Sequence, residues 1–131
     1  MAKDRNVKLA LADLIAKKAA KEAAQNRTEE VYVDSLEGSL TIHVPPRSSI
    51  YKAMDMGGDN MEDSMYSNAF LIYHAVKEFQ SQELLEAYGV KDNIDIVFSL
   101  LTPVEIAEVS TKIMQLSGYA KPEQIQSNLK N

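Results

Sequence analysis

The apolar residues of this chain follow two patterns, and each pattern predicts a different kind of element. Over most of the sequence they return every three to four positions, which is typical of amphipathic helices. Between residues 31 and 44, VYVDSLEGSLTIHV, they alternate with polar residues, which predicts a two-stranded hairpin. One face of this hairpin is apolar and comprises Val31, Val33, Leu40, Ile42 and Val44. The loop from Ser35 to Ser39 contains a glycine for a positive φ, and Pro45 and Pro46 end the pairing. Since an isolated hairpin is marginally stable, we expect this face to lie on a helical body.

Residues 6–25, NVKLALADLIAKKAAKEAAQ, predict a helix because alanine, leucine, lysine and glutamate dominate them. A single narrow apolar stripe runs along it, formed by Val7, Leu11, Leu14, Ile15 and Ala19. Beyond this stripe the helix offers mostly alanine, so it has little to bury. Two interpretations stay open: a terminal helix packed loosely on the body, or an arm that becomes ordered on a partner. A helix lying on a membrane surface is disfavoured by Asp4, Asp13 and Glu22.

Two helices are predicted in the middle of the chain, on either side of the Gly-Gly pair at 57–58. The first is short and is capped by Ser48 or Ser49. The second opens at Asp59 or Asn60 and is the longest. Its inward stripe comprises Met65, Ala69, Ile72, Val76 and Phe79. Three aromatic residues widen this stripe: Tyr66, Phe70 and Tyr73. So much apolar surface predicts a helix in the middle of the domain.

Two short helices follow, one capped by Ser81 and the next starting at Asp92 or Asn93. The last helix carries a capping box, formed by Thr102 and Glu105, with proline at its first position. Its inward face comprises Ile106, Val109, Ile113 and Leu116. Gly118 ends the helix, and Tyr119 is placed to fold back on the final turn.

The predicted fold class is mainly α, a small domain of about five to six helices with one β-hairpin near the N-terminus. We divide the chain into a basic amphipathic helix or arm at residues 1–27, a helical body at 28–119, and a polar tail at 120–131. The hairpin at 31–44 belongs to the body.

Composition and charge exclude several classes of function and of binding partner. The chain has 131 residues, 45% of them apolar, and no cysteine, which excludes disulfides and cysteine catalysis. No apolar run approaches the ~20 residues that a membrane helix needs, and we expect no secretory signal. Residues 1–28 carry seven basic and three acidic side chains, a net charge of +4, so the remainder carries −9 of the total of −5. An acidic body is a poor match for nucleic acid.

No pattern of residues points to catalysis. The acidic stretch that begins at Asp55 fails as a calcium loop, because its sixth position is Asn60 instead of glycine and its twelfth is Tyr66 instead of glutamate. His43 and His74 have no second ligand nearby in sequence, and no phosphate loop or nucleophile elbow is present. We therefore expect no metal, no cofactor and no enzymatic activity. The composition favours an interaction protein.

Two groups of residues are candidates for binding a partner. The first is the stripe residues Leu11, Leu14 and Ile15. The second is the methionines near the double glycine, Met54, Met56 and Met61, although methionine also fills irregular core gaps.

The order of these segments resembles the XkdN-like tail assembly chaperones of contractile-tailed phages and of PBSX-type, defective prophages of Gram-positive bacteria. The resemblance runs from about Thr28 to Tyr119, through VYVDSLEGSLTI, AMDM, FLIYHAV, ELLEAYGV and SLLTPVEIAEVSTKIMQLSGY. It implies a non-catalytic assembly factor in the host cytoplasm that binds the long, helical, aggregation-prone tape measure protein. Such a factor keeps its client soluble until tail tube subunits polymerise around it, and is absent from the finished virion. Further implied partners are the tail tube protein and a longer form of the chain itself; self-association stays open, and neither nucleic acid nor membrane is expected.

The longer form implied by the resemblance arises from a programmed −1 ribosomal frameshift. The heptamer A AAA AAC encodes a codon ending in A, then lysine, then asparagine, and Leu129-Lys130-Asn131 fits this order. Our hypothesis is that the short product ends just past such a site, and the codons of the gene test it.

Two alternatives compete with the chaperone. A minor structural protein would be retained in the tail, and a phage regulator would bind DNA, which the acidic body disfavours.

Overall fold

The computed structural model describes residues 7–119. In chain order its regular elements are α1 (Leu11–Ala16), α2 (Lys18–Gln25), β1 (Thr28–Val33), β2 (Gly38–His43), α3 (Arg47–Met56), α4 (Met61–Ala75), α5 (Gln82–Tyr88), α6 (Asp95–Leu100) and α7 (Pro103–Leu116). Single 3-10 turns lie at Asp34–Leu36 and Lys77–Gln80. Helix accounts for 65% of the structure, and the predicted class, mainly α with an N-terminal hairpin, is confirmed.

The predicted N-terminal helix is divided into α1 and α2 by a single residue, Lys17. Its N–H donates to the carbonyls of Asp13 at 3.2 Å and Leu14 at 3.3 Å, and its own carbonyl accepts from Lys21 at 3.0 Å. The backbone therefore keeps a helical path through the junction. Counted as one helix, this pair brings the total to six, within the predicted range.

The hairpin pairs β1 and β2 antiparallel, with Val31 opposite Leu40. Its predicted inward face is confirmed in the strands: Val31, Val33 and Ile42 are buried, and Leu40 packs against the core. The predicted use of the glycine was wrong. Glu37, not Gly38, takes the positive φ of 52°, because the loop is a 3-10 turn closed by the Glu37 N–H donating to the Asp34 carbonyl.

Helix α4 is the centre of the domain and packs against α3, α6 and α7. Ala69, Ile72 and Ala75 on α4 are completely buried. The hairpin packs on α7 and α4, which supplies the support that a free ribbon would lack. The helix ends at Ala75, earlier than predicted, since Val76 has an extended backbone; a 3-10 turn then carries Phe79 into the core instead.

Helix starts were predicted with mixed success. Asn60 caps α4 by accepting a hydrogen bond from the Asp63 N–H at 2.8 Å. It is one of the two residues predicted to start this helix. The capping box of α7 is present in both directions between Thr102 and Glu105. The predicted caps Ser48 and Ser49 were wrong: α3 starts earlier, after Pro46, so both serines lie inside its first turn.

The end of α7 agrees with its sequence. Gly118 takes a φ of 83°, and the Tyr119 N–H donates to the Met114 carbonyl at 2.9 Å. The ring of Tyr119 then meets Tyr51 of α3 edge-on, with ring centroids 6.3 Å apart. The predicted fold-back is confirmed, and it also ties the end of α7 to α3.

Candidate interaction surfaces

The arm, residues 1–27, is described from Val7 and presents its apolar stripe to solvent. No residue of α1 or α2 is buried. Leu11 is 74% exposed, Leu14 55% and Ile15 64%. Large apolar side chains at such exposure are unusual when they stand together on one helix face. The three predicted stripe residues are therefore largely exposed together on one face of α1, and none of them is part of the core formed within residues 7–119.

The arm is joined to the body by a short and well-bonded connection. Only Asn26 and Arg27 separate α2 from β1. The guanidinium of Arg27 donates to the Ala24 carbonyl at 3.2 Å and to the Leu116 carbonyl, on the last turn of α7, at 3.3 Å. This bond ties the base of the arm to α7, while α1, the distal part of the arm, has no buried residue.

A cleft of about 500 Å³ lies where the base of the arm meets the body. Gln25 and Asn26 line one side, and Pro46, Arg47 and Ile50 at the start of α3 line the other. The arm is thus attached near the beginning of α3.

The second candidate surface lies at the other end of α3. We use the term methionine turn for residues 52–63, which comprise the end of α3, the loop and the start of α4. Met54 is 55% exposed and Met61 is 75% exposed, whereas Met56 is half-buried. Met65, one helical turn after Met61 on α4, packs against the core, as its place in the predicted inward stripe of that helix indicated.

The methionine turn is closed by hydrogen bonds and has an acidic surface. Asn60 bonds twice to Asp63, and a side chain added at Gly58 would place its Cβ 2.5 Å from an Asp63 carboxylate oxygen. The Ser67 hydroxyl donates to the Ala53 carbonyl and so links α4 to α3. The turn carries one lysine and four carboxylates: Lys52, Asp55, Asp59, Glu62 and Asp63.

The two surfaces are not brought together. The arm leaves the body beside the start of α3, whereas Met54 lies seven residues further along that helix and Met61 lies at the start of α4. A helix rises about 1.5 Å per residue, so roughly 10 Å of α3 separates the base of the arm from Met54.

Within residues 7–119, no group of histidine, cysteine, aspartate or glutamate has the arrangement of a metal site. His74 packs between the rings of Phe70 and Tyr73, at centroid distances of 4.5 and 5.2 Å. Burial, followed by the nearby charge of Lys52, lowers the pKa of His74 below its usual range. The position of His74 between two aromatic rings is that of a packing residue.

One polar connection was not predicted at all. The Glu105 carboxylate accepts from the Ser35 N–H at 2.9 Å and from the Ser35 hydroxyl at 2.6 Å, and also from the Thr102 N–H at 2.9 Å. These bonds, with Ser35 the largest contributor, lower the pKa of Glu105 to about 2. The sequence signalled the capping box, but it contained no signal for a partner 70 residues away.

Two sets of predictions lie outside the described residues: the polar tail from residue 120 to 131, with the Leu129-Lys130-Asn131 hypothesis, and the first six residues of the arm. In the part of the chain that is described, no helix combines the length and the apolar character needed to cross a bilayer.

Comparison with known proteins found one family. The model described as phage XkdN-like tail assembly chaperone protein matches residues 47–128, more than half of the chain. The match begins with α3, runs through α7 and continues into the tail. The hairpin lies before it, so the likeness of the hairpin to the family stays a prediction. Neither the comparison with curated proteins nor the comparison with solved structures found a match.

Proposed function

The chain belongs to the XkdN-like tail assembly chaperone family of phages, and from this premise we propose that its client is the tape measure protein. A role in phage tail assembly follows from the family. In our proposal the chain binds exposed apolar stripes on the client, keeps it soluble, helps to recruit tail tube subunits and is absent from the mature tail.

The observation that carries this proposal is the unpacked stripe of Leu11, Leu14 and Ile15. A soluble domain gains nothing from exposing three large aliphatic side chains on one helix face unless another surface covers them. The stripe suits an amphipathic helix of a client, since two helices bury such stripes against each other at positions three and four residues apart.

The mechanism is mass action. Each client segment bound to the chaperone is removed from the pool that can aggregate, and the effect scales with the concentration of free chaperone relative to its dissociation constant. No energy source and no catalytic group are needed. Release follows when tail tube subunits compete for the same client surface as they polymerise.

The proposal is tested by producing the tape measure protein of the same phage with and without this chain. We expect the tape measure protein to be soluble and to co-purify with the chain only when the two are produced together. A tape measure protein that is equally soluble alone, and that does not bind the chain, contradicts the proposal.

The second candidate, a minor structural component retained in the tail, makes the opposite prediction for purified particles. Quantitative mass spectrometry of finished tails separates the two functions. A stoichiometric amount of the chain in those tails favours the structural component over the chaperone.

A further inference from the structure

The chain carries two exposed apolar surfaces of opposite charge, and its own fold keeps them apart. We propose that the arm of one copy docks on the methionine turn of a second copy. The stripe of the arm then covers Met54 and Met61, and the lysines of the arm pair with the carboxylates of the turn. This inference concerns self-association alone and does not depend on the identity of the client.

Charge favours the methionine turn, and not a second arm, as the surface on which the arm docks. From Val7 to Arg27 the arm has five basic and two acidic side chains, a net charge of +3. Residues 52–63 have one basic and four acidic side chains, a net charge of −3. Two arms packed stripe to stripe would place like charges side by side, whereas an arm on the turn places opposite charges together.

The side chains at the contact also suit each other. Leu14 and Ile15 offer branched aliphatic groups, and Met54 and Met61 are unbranched and can adapt to them. Lys18 lies about one helical turn and Lys21 about two turns beyond Leu14, where they can reach the carboxylates that flank the methionines. Lys18 is paired only weakly at present, 4.0 Å from the exposed Glu22, so it can exchange partners at little cost.

The arm cannot dock on the methionine turn of its own chain, because its base is held in place by hydrogen bonds. The turn that receives the arm therefore belongs to a second copy. The Arg27 N–H donates to the Ala24 carbonyl, and the Arg27 side chain bonds to both Ala24 and Leu116. With only two residues between α2 and β1, the arm has no linker with which to fold back along α3. A second molecule meets no such restriction.

The resulting contact joins two different surfaces. Such head-to-tail contacts either close into rings or extend as chains. A single helix on a turn buries less than the ~1,200 Å² of a standard interface, so we expect association to be weak and concentration-dependent. Salt weakens it further by screening the exposed charges. In the absence of a client, association would cover the stripe that is otherwise exposed.

Complementation between two variants of the full-length chain tests the inference by sedimentation velocity. The arm variant combines Leu11→Asp, Leu14→Asp and Ile15→Asp. The turn variant combines Met54→Gln, Met61→Gln and Glu62→Gln. All six positions are exposed, so both variants should fold, which circular dichroism verifies.

We expect the unmodified chain to associate as its concentration rises, and each variant alone to require roughly ten-fold or more higher concentration. An equimolar mixture should regain association as a one-to-one complex, because the turn of the arm variant and the arm of the turn variant are both intact. Three results would overturn the inference. They are a monomeric unmodified chain at every concentration, a turn variant that associates normally, and a mixture that does not regain association. Client binding is not measured here, so these results leave the proposed function untouched.

Discussion

Glu105 at the start of α7 and Ser35 in the hairpin turn are held together by two hydrogen bonds, which the Ser35 N–H and the Ser35 hydroxyl donate to the Glu105 carboxylate at 2.9 and 2.6 Å. The same carboxylate accepts from the Thr102 N–H and so completes the cap of α7. One side chain therefore fixes both the start of a helix and the position of the hairpin on it. Hydrogen bonds to an ionised carboxylate are among the stronger ones in proteins.

Replacing Glu105 by alanine should lower the melting temperature of the domain, because the Ser35 N–H and the Thr102 N–H lose their acceptor. Glu108→Ala, at an exposed position on the same helix, is the matched control and should have a small effect. Thermal unfolding followed by circular dichroism measures both. Equal melting temperatures for the two variants would show that the connection between Glu105 and Ser35 does not stabilise the fold.

The pKa of Glu105 also predicts a dependence of stability on pH. Its folded-state pKa of about 2 lies below the ordinary value of 4.5, so the ionised carboxylate stabilises the folded state. This contribution is fully present above about pH 4.5 and is lost as the pH falls towards about 2. Urea unfolding across this range should show a steeper loss of stability for the unmodified chain than for Glu105→Gln. Parallel curves would contradict the lowered pKa.

A substitution of Ile72, at the centre of α4, tests how much the packing of the core contributes to stability. It is completely buried, so Ile72→Ala leaves a cavity among the packed helices and should lower the free energy of unfolding by about 2–5 kcal/mol. Ile15→Ala removes the same atoms from a side chain that is 64% exposed. It should therefore change the free energy of unfolding by less than about 0.5 kcal/mol. Chemical denaturation measures both. A large loss for Ile15→Ala would mean that the arm packs on the body.

Deleting residues 1–27 should leave the body folded and weaken its binding to the tape measure protein. The deletion removes no buried side chain from α1 or α2 and only one described hydrogen bond between the arm and the body, from Arg27 to Leu116. Circular dichroism checks the fold, and co-purification checks the binding. Undiminished co-purification would show that the arm is not the client-binding surface.

The parts of the fold that sequence predicted well depend on neighbouring residues. The capping box of α7 involves two residues three positions apart, and the hairpin face follows from alternation within one segment. Helix ends were harder to predict where packing in the core, and not a local sequence signal, determines where the helix stops. Val76 continues the helical pattern of α4, yet the chain turns there so that Phe79 can reach the core from a 3-10 turn.

The candidate surfaces were predicted only in part, for a related reason. Periodicity shows that one face of a helix is apolar, but it does not show whether another element covers that face. The stripe of Leu11, Leu14 and Ile15 is exposed, whereas the stripe of α4, predicted from the same periodicity, is covered by neighbouring helices and contains the completely buried Ile72. Contacts such as Glu105 with Ser35 depend on how distant segments meet, and no local pattern encodes them.

The central claim is that the arm stripe binds the tape measure protein, and three aspartates on that stripe test it most directly. The stripe variant combines Leu11→Asp, Leu14→Asp and Ile15→Asp and therefore has no apolar stripe. The matched control, Ala12→Asp, Ala16→Asp, Ala20→Asp, places the same charges on the exposed opposite face. Alanine is the better helix former, so the control loses at least as much helix propensity as the stripe variant.

The measurement is the amount of tape measure protein that remains soluble when it is produced with each variant. Burying one large aliphatic side chain contributes about 1.5–3 kcal/mol, so loss of the stripe should weaken binding by on the order of 100-fold or more. We predict that the tape measure protein becomes insoluble with the stripe variant and stays soluble with the control. Equal solubility with both variants would contradict the claim.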